Sequence, residues 1–252
     1  MVIVARNREK GERLVAEWKE ATGNGRIELL VDDLSTLEGV RAAAAAFRAN
    51  HDRLDVLVNN AGALFTGYEL TRDGFERTFA LNHLSYFLLT HELLDTLKRT
   101  EGARVINTAS DAHRSGNIDL DSVARRPSRK VGFPAYCDSK LANILFTRVL
   151  ARRLAGTGVT VNCFHPGFVR TGFGLNNKNV MGAAIKVSAW LFARTPEKGA
   201  ETLVWLATSP EAARFSGEYF HDRAVARTTS LARSDALADG LWALSERACG
   251  LA

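Results

Sequence analysis

Tyr136 and Lys140 stand four residues apart in the run YCDSK. On a helix that spacing sets both side chains on one face. A free phenol has a pKa of about 10 and stays protonated at neutral pH. A neighbouring ammonium favours the phenolate and lowers that value. A phenol so tuned exchanges a proton with an alcohol or a carbonyl. A lone Tyr-x-x-x-Lys pair recurs by chance on many helices, so its company decides. Ser110 closes the apolar run ARVINTAS (103–110), where a hydroxyl could bond a substrate oxygen; a strand-end turn or helix cap is the ordinary alternative. NNAG (59–62) closes another apolar run, and its small residues let the backbone approach a bound ring or ribose closely. A plain turn is the alternative there. Asn82 lies inside a helical pattern, where asparagine is a poor former, so it is either functional or harmlessly exposed.

The elements that must carry these residues alternate. MVIVA at the start is apolar and β-branched, and 8–21 carries charges around Leu14, Val15 and Trp18 at helical spacing. Residues 26–31, 54–60, 103–110 and 159–167 read as strands. Ser35 with Glu38 forms a capping-box pattern for a helix running to about Asn50. Residues 73–99 and 134–156 read as long helices, and Ala42–Ala46 fits a helix interior. Alternating units with nearly continuous apolar strands predict an α/β fold, a doubly wound parallel sheet covered by helices on both faces. Such sheets bind ligands just beyond the C-terminal strand ends. Those positions are Arg6–Asn7, Asp32–Leu34, Asn59–Gly62, Ser110 and His165–Gly167. The segment 172–194, with Val180, Met181, Val187, Trp190, Leu191 and Phe192, suits a lid over an apolar substrate, or ordinary core packing.

Composition narrows the class. The 252 residues are 46% hydrophobic and 24% charged, as in a soluble globular domain. Net charge is +5, from 33 basic and 28 acidic residues, and the basic ones are scattered apart from 124–130. That is too little charge on one face for nucleic acid, and the cluster reads as a solvated loop. No apolar run is long enough for a transmembrane helix. Cys137, Cys163 and Cys249 have neither metal-ligand nor disulfide spacing and fit a reducing cytoplasm; no metal is expected.

NNAG, ALNHLSYFLLT, VINTASDAH, YCDSKLANILFTRVLARRL and VNCFHPGFVRT stand in the order and spacing of the short-chain dehydrogenase/reductase family, which the chain resembles over its length. DGFERTFALNHLSYFLLT and the tail from SGEYFHDRAVAR to LADGLWALSERACGL resemble its retinol dehydrogenase and WW-domain oxidoreductase group most. The resemblance implies a Rossmann-like fold in one domain. It implies Tyr136 as general acid or base, with Lys140 lowering the tyrosine pKa and holding the nicotinamide ribose. Ser110 would bond the substrate carbonyl, and Asn82 would support a water-linked proton path to Lys140. Asn60, Ala61 and Gly62 would lie against the adenosine half of the cofactor, and Asp33 and Leu34 would flank adenine. Pro166, Gly167, Val169 and Thr171 would line the nicotinamide and pyrophosphate side.

Arg6 is either a solvated arginine before a helix or the residue that selects between cofactors. A carboxylate at that turn would favour NAD, whereas an arginine can pair with the 2′-phosphate of NADP. The expected activity is therefore NADP(H)-dependent interconversion of an alcohol and an aldehyde or ketone, lipophilic if the group resemblance holds. The partner is a small carbonyl or alcohol, and a homodimer is left open. In the family, VIVARNREKG resembles the second strand and its turn. The expectation is then a chain whose first strand, Gly-rich turn and first helix are missing, with Met1 an internal methionine. Two alternatives remain open: a fold-retaining binding protein that lost its nucleotide loop, and a protochlorophyllide reductase-like enzyme.

Overall fold

The computed structural model describes residues 1–125, 131–167, 169 and 194–252. Its first strand, β1 (Val2–Ala5), leads into α1 (Arg8–Thr22). Asn7 caps α1 by accepting the Lys10 N–H at 2.8 Å, and Gly23, at φ +67°, ends it in the left-handed region. After β2 (Glu28–Val31) comes α2 (Leu37–Asn50). Its cap is Thr36, not Ser35 as the capping-box pattern predicts. The Thr36 hydroxyl accepts the Gly39 N–H at 3.1 Å, while the Ser35 hydroxyl turns back to the Asp33 carboxylate at 2.7 Å. Asp33 competes for Ser35 and leaves the cap to its neighbour.

The stretch read as one helix over 73–99 is broken after β3 (Val56–Asn59). A short α3 (Arg77–Phe79) starts at Glu76, whose buried carboxylate accepts the Thr78 and Phe79 N–H groups at 2.9 Å each. A π-helical turn, Ala80–Leu84, follows and runs into α4 (Ser85–Glu92) and α5 (Leu94–Arg99). Then come β4 (Arg104–Thr108), α6 (Phe133–Arg153), β5 (Thr160–Phe164), α7 (Pro196–Thr208), β6 (Tyr219–His221), β7 (Ala224–Val225) and α8 (Asp235–Ala248).

β1 and β2 pair in parallel, as do β3, β4, β5 and β6 in that order; β7 closes the edge as an antiparallel hairpin with β6. Among the described residues no ladder joins β1 to β3, so the sheet is in two pieces. Helices cover both faces. On one, Phe79, Phe87, Leu97, Leu141, Leu145 and Trp242 share the main core, each large side chain contributing about 1.5–3 kcal/mol by burial. On the other, Ile106, Phe164, Leu206 and Phe220 pack under α7.

Polar side chains pin this core near the strand ends. Asn59 and Asn107 face each other in register on β3 and β4. The Asn59 amide donates to Asn107 Oδ1 at 2.8 Å and to Thr90 at 3.0 Å, and Asn107 donates to Thr147 on α6 at 2.9 Å. Buried amides left unbonded would be costly, so the chain ties two strands and two helices together here. Gly116 seats the segment after β4 against α6. Its φ of −73° suits any residue, but a Cβ there would stand 2.9 Å from both the Cys137 carbonyl oxygen and Leu141 Cβ. Gly116→Ala should therefore cost about 1–3 kcal/mol by overpacking. Calorimetry should show a fall in melting temperature of roughly 3–10 °C.

Candidate active site

All the described site candidates lie at or beside C-terminal strand ends or on the helices packed over them. Lys140 is one turn beyond Tyr136 on α6, which is buried on nearly all sides. Lys140 is 3% exposed, and its ammonium donates to the Thr108 carbonyl at the end of β4, at 3.0 Å. No carboxylate pairs with it among the described residues, and burial lowers its pKa to about 7. Tyr136 stands beside it, with Lys140 Nζ 5.6 Å from the ring centroid. Burial raises the phenol to about 12, while the Ser110 hydroxyl's hydrogen bond pulls it down. Burial thus outweighs the lowering expected from the ammonium, and the phenol is protonated at neutral pH.

Ser110 is extended, at φ −161°, and caps the short 3-10 turn Asp111–Ser115 by accepting the Ala112 N–H at 3.2 Å. Asn82 lies in the π-helical turn, fully buried. Such turns recur at functional sites because the extra residue re-aims a side chain. Here the Asn82 amide clasps Ala63, accepting its N–H at 2.9 Å and donating to its C=O at 3.0 Å, and donates also to Ser139 at 3.0 Å. Ser139 in turn donates to the Tyr136 carbonyl at 2.7 Å. Asn82 therefore ties the loop after β3 to α6. Gly62 lies between them: a Cβ there would stand 3.2 Å from Asn82 Oδ1 and 3.6 Å from Lys140 Nζ. Asn60 accepts from the Thr108 hydroxyl at 3.0 Å, so β3 and β4 end together.

Asp33 follows β2. Burial pushes its carboxyl up, but the Ser35 N–H and hydroxyl, with the guanidiniums of Arg6 and Arg77, bring it below the usual value. Exposed Arg6 is thus brought to the Asp33 end, while Leu34 packs against the core. Pro166 and Gly167 follow β5, with Gly167 at φ +79°. Val169 packs on Gly199 of α7, where a Cβ would stand 2.5 Å from Val169 Cγ2. Thr171, the 172–193 part of the expected lid, and 126–130 of the basic cluster lie outside the described residues.

Residues 1–180 match the family described as short chain dehydrogenase. The chain belongs to that family. Human retinol dehydrogenase 13 is 37% identical over 255 residues, spanning all of this chain and 77% of that protein. Among solved structures, an uncharacterised protein from Mycobacterium paratuberculosis is 30% identical, with a TM-score of 0.78 over 99% of this chain and 83% of its own. RhlG of Pseudomonas aeruginosa, in an active-site complex with NADP, is 29% identical with a TM-score of 0.65, covering 87% of this chain and 83% of that one. The chain is accordingly an oxidoreductase of the short chain dehydrogenase type. No helix among the described residues is long and apolar enough to cross a membrane.

Motif reading finds the side chains that present chemistry and misses those that hold them. Thr108 and Asn143 were not singled out, yet the Asn143 amide donates to the same Thr108 carbonyl as Lys140, at 3.1 Å. A polar residue three positions after Lys140 in an apolar helix was the available signal.

Lys140 makes a signed prediction. Its folded pKa, about 7, lies below the unfolded value of about 10.4. Between them the unfolded chain binds more protons, so stability should rise with pH across that window. Below about 7 the cost is fully present. Lys140→Met removes the buried charge and leaves Asn143 on Thr108. It should raise the melting temperature at pH 7, and the gain should shrink toward pH 10.

Proposed function

We propose that this oxidoreductase uses NADP(H) to interconvert an alcohol with an aldehyde or ketone, and that its substrate is lipophilic, as for a retinol dehydrogenase. The observation that carries the reading is the hydrogen bond between the Ser110 hydroxyl and the Tyr136 phenol, with the Lys140 ammonium, which has no carboxylate partner among the described residues, beside the Tyr136 ring. Two hydroxyls that meet there can both reach one substrate oxygen.

The residues present fit a nicotinamide nucleotide at its two nucleoside ends. Among the described residues Lys140 Nζ has one hydrogen-bond acceptor for three N–H donors, which leaves donors for a ribose diol. Gly62 keeps open the approach beside that ammonium. Asp33, Leu34, Asn60 and Ala61 would hold the adenosine half, and Pro166, Gly167, Val169 and Thr171 the nicotinamide and pyrophosphate side. Arg6 would pair with the 2′-phosphate. RhlG, similar in fold and sequence, was solved with NADP. When bound, the cofactor supplies or takes the hydride at the carbonyl carbon.

In the reducing direction Ser110 and Tyr136 bond the carbonyl oxygen and polarise it. Tyr136 gives its proton to that oxygen as it becomes an alkoxide. Lys140 stabilises the phenolate left behind, an interaction strengthened by burial. Asn82 holds the loop and supports the water path by which the proton is replaced. Phe133, at the first turn of α6, is 54% exposed and its ring lies 6.4 Å from that of Tyr136. An exposed phenyl beside the acid suits a lipophilic carbonyl.

Two substitutions test the reading. Tyr136→Phe keeps the ring and should lower kcat for NADPH-dependent aldehyde reduction by at least about 100-fold, with the melting temperature little changed. Retention of most activity would remove Tyr136 from the mechanism. Arg6→Asp should reverse the ratio of kcat/KM for NADPH over NADH, since repulsion replaces attraction at the 2′-phosphate. A wild-type preference for NADH would contradict the assignment.

A further inference from the structure

Four rings form a tier behind the strand ends. His113 meets Tyr219 edge-on at 5.0 Å between centroids. Tyr219 stacks on His165 at 5.7 Å, and His165 on His221 at 3.9 Å. Two of these rings are hydrogen-bonded to the segments that follow β4 and β5. His113 Nδ1 lies 2.7 Å from the Ser110 carbonyl. A carbonyl only accepts, so Nδ1 carries the proton. His165 Nδ1 lies 3.2 Å from the Gly167 N–H, which only donates, so that nitrogen is bare.

The arrangement has a cost that packing does not explain. His113 is fully buried, and its Nε2 has no partner among the described residues; nor has the Tyr219 hydroxyl. Phenylalanine at either place would fill the same space without a stranded polar atom. What a phenyl could not do is add a side-chain bond to the Ser110 carbonyl, which the backbone N–H of His113 also reaches at 3.1 Å. Burial also holds both His113 and His165 below their usual pKa, His165 at about 4, so both rings are neutral when they make these bonds.

We propose that His113 and His165 are positioning residues, linked through Tyr219, that fix Ser110 and the Pro166–Gly167 turn relative to each other. The proposal rests on the reading that Ser110 holds the substrate oxygen and Gly167 borders the nicotinamide. His113 sets the backbone of Ser110, and through it the direction of the hydroxyl. His165 sets the turn. Because both lean on one phenol ring, the substrate oxygen and the hydride donor are located by a single packed unit. Displacement of reacting groups by about 1 Å can cost on the order of 100-fold in rate.

The amide of asparagine overlies the Nδ1 edge of an imidazole, and that of glutamine overlies Nε2. In the full chain, with NADPH and an aldehyde, His113→Asn should keep kcat within about 3-fold, while His113→Gln and His113→Phe lose about 10- to 100-fold with the NADPH Kd unchanged. His165→Phe should instead raise the KM for NADPH. His113→Phe with wild-type kcat, His113→Asn impaired as deeply as His113→Gln, or His165→Phe with unchanged NADPH KM would overturn the proposal. If the wild type turns over no carbonyl, the functional reading has failed instead. Long-range nitrogen-15 NMR of the wild type then decides the tier: His113 protonated on Nδ1 and bare on Nε2 supports it, and the opposite tautomer overturns it.

Discussion

A lysine ammonium is buried at the end of β4 with no counter-ion among the described residues, and the site is arranged around that cost. Lys140 is satisfied in part by the Thr108 carbonyl, at 3.0 Å. That carbonyl also takes the Asn143 amide. A charge held this way is destabilising, as the fall of its pKa to about 7 records. A fold that selected for stability alone would set an apolar side chain there. The strain makes sense as electrostatic preorganisation: a positive charge in a dry place stabilises a phenolate far better than one in water.

Holding that charge requires the surroundings to be rigid, and two devices supply this. The amide and hydroxyl ladder from Thr90 through Asn59 and Asn107 to Thr147 binds β3 and β4 to α4 and α6. The π-helical turn aims Asn82 at Ala63 and Ser139, so the loop after β3 and the first turn of α6 move together. Among the described residues no strand ladder joins the β1–β2 pair to this unit. The proposed acid/base residues therefore sit on the five-stranded sheet and its helices, whereas Arg6 and Asp33, proposed for the adenosine half, follow the strands of the other piece.

Residues whose types could carry chemistry were legible in the sequence, and the fold brings Tyr136, Lys140 and Ser110 together, with Asn82 joined to α6 through Ser139. The alternation of strands and helices was legible too, because each strand is a short apolar run. What was not legible comes from partners distant in the chain. Asp33 draws Ser35 away from the helix it seemed to cap, and Glu76 starts α3 later than periodicity suggests. The Thr108 carbonyl has no sequence signature, since every residue owns one. His113 and His165 stood inside recognised motifs without a role, because Tyr219, the ring between them, arrives from β6 and neighbours them only once the sheet is formed.

Ser110, Tyr136 and Lys140 are proposed to support hydride transfer to a carbonyl. The most direct measurement is isotopic. The protein would be incubated with a lipophilic aldehyde and NADPH carrying deuterium on one face of nicotinamide C4, and the alcohol analysed by mass spectrometry and proton NMR. Stereospecific use of the cofactor, with one deuterium at the carbinol carbon from one labelled face and none from the other, is the predicted result. Binding of NADPH without deuterium in any alcohol, across a panel of aldehydes and ketones, would contradict the account and leave a protein that keeps the fold without its chemistry.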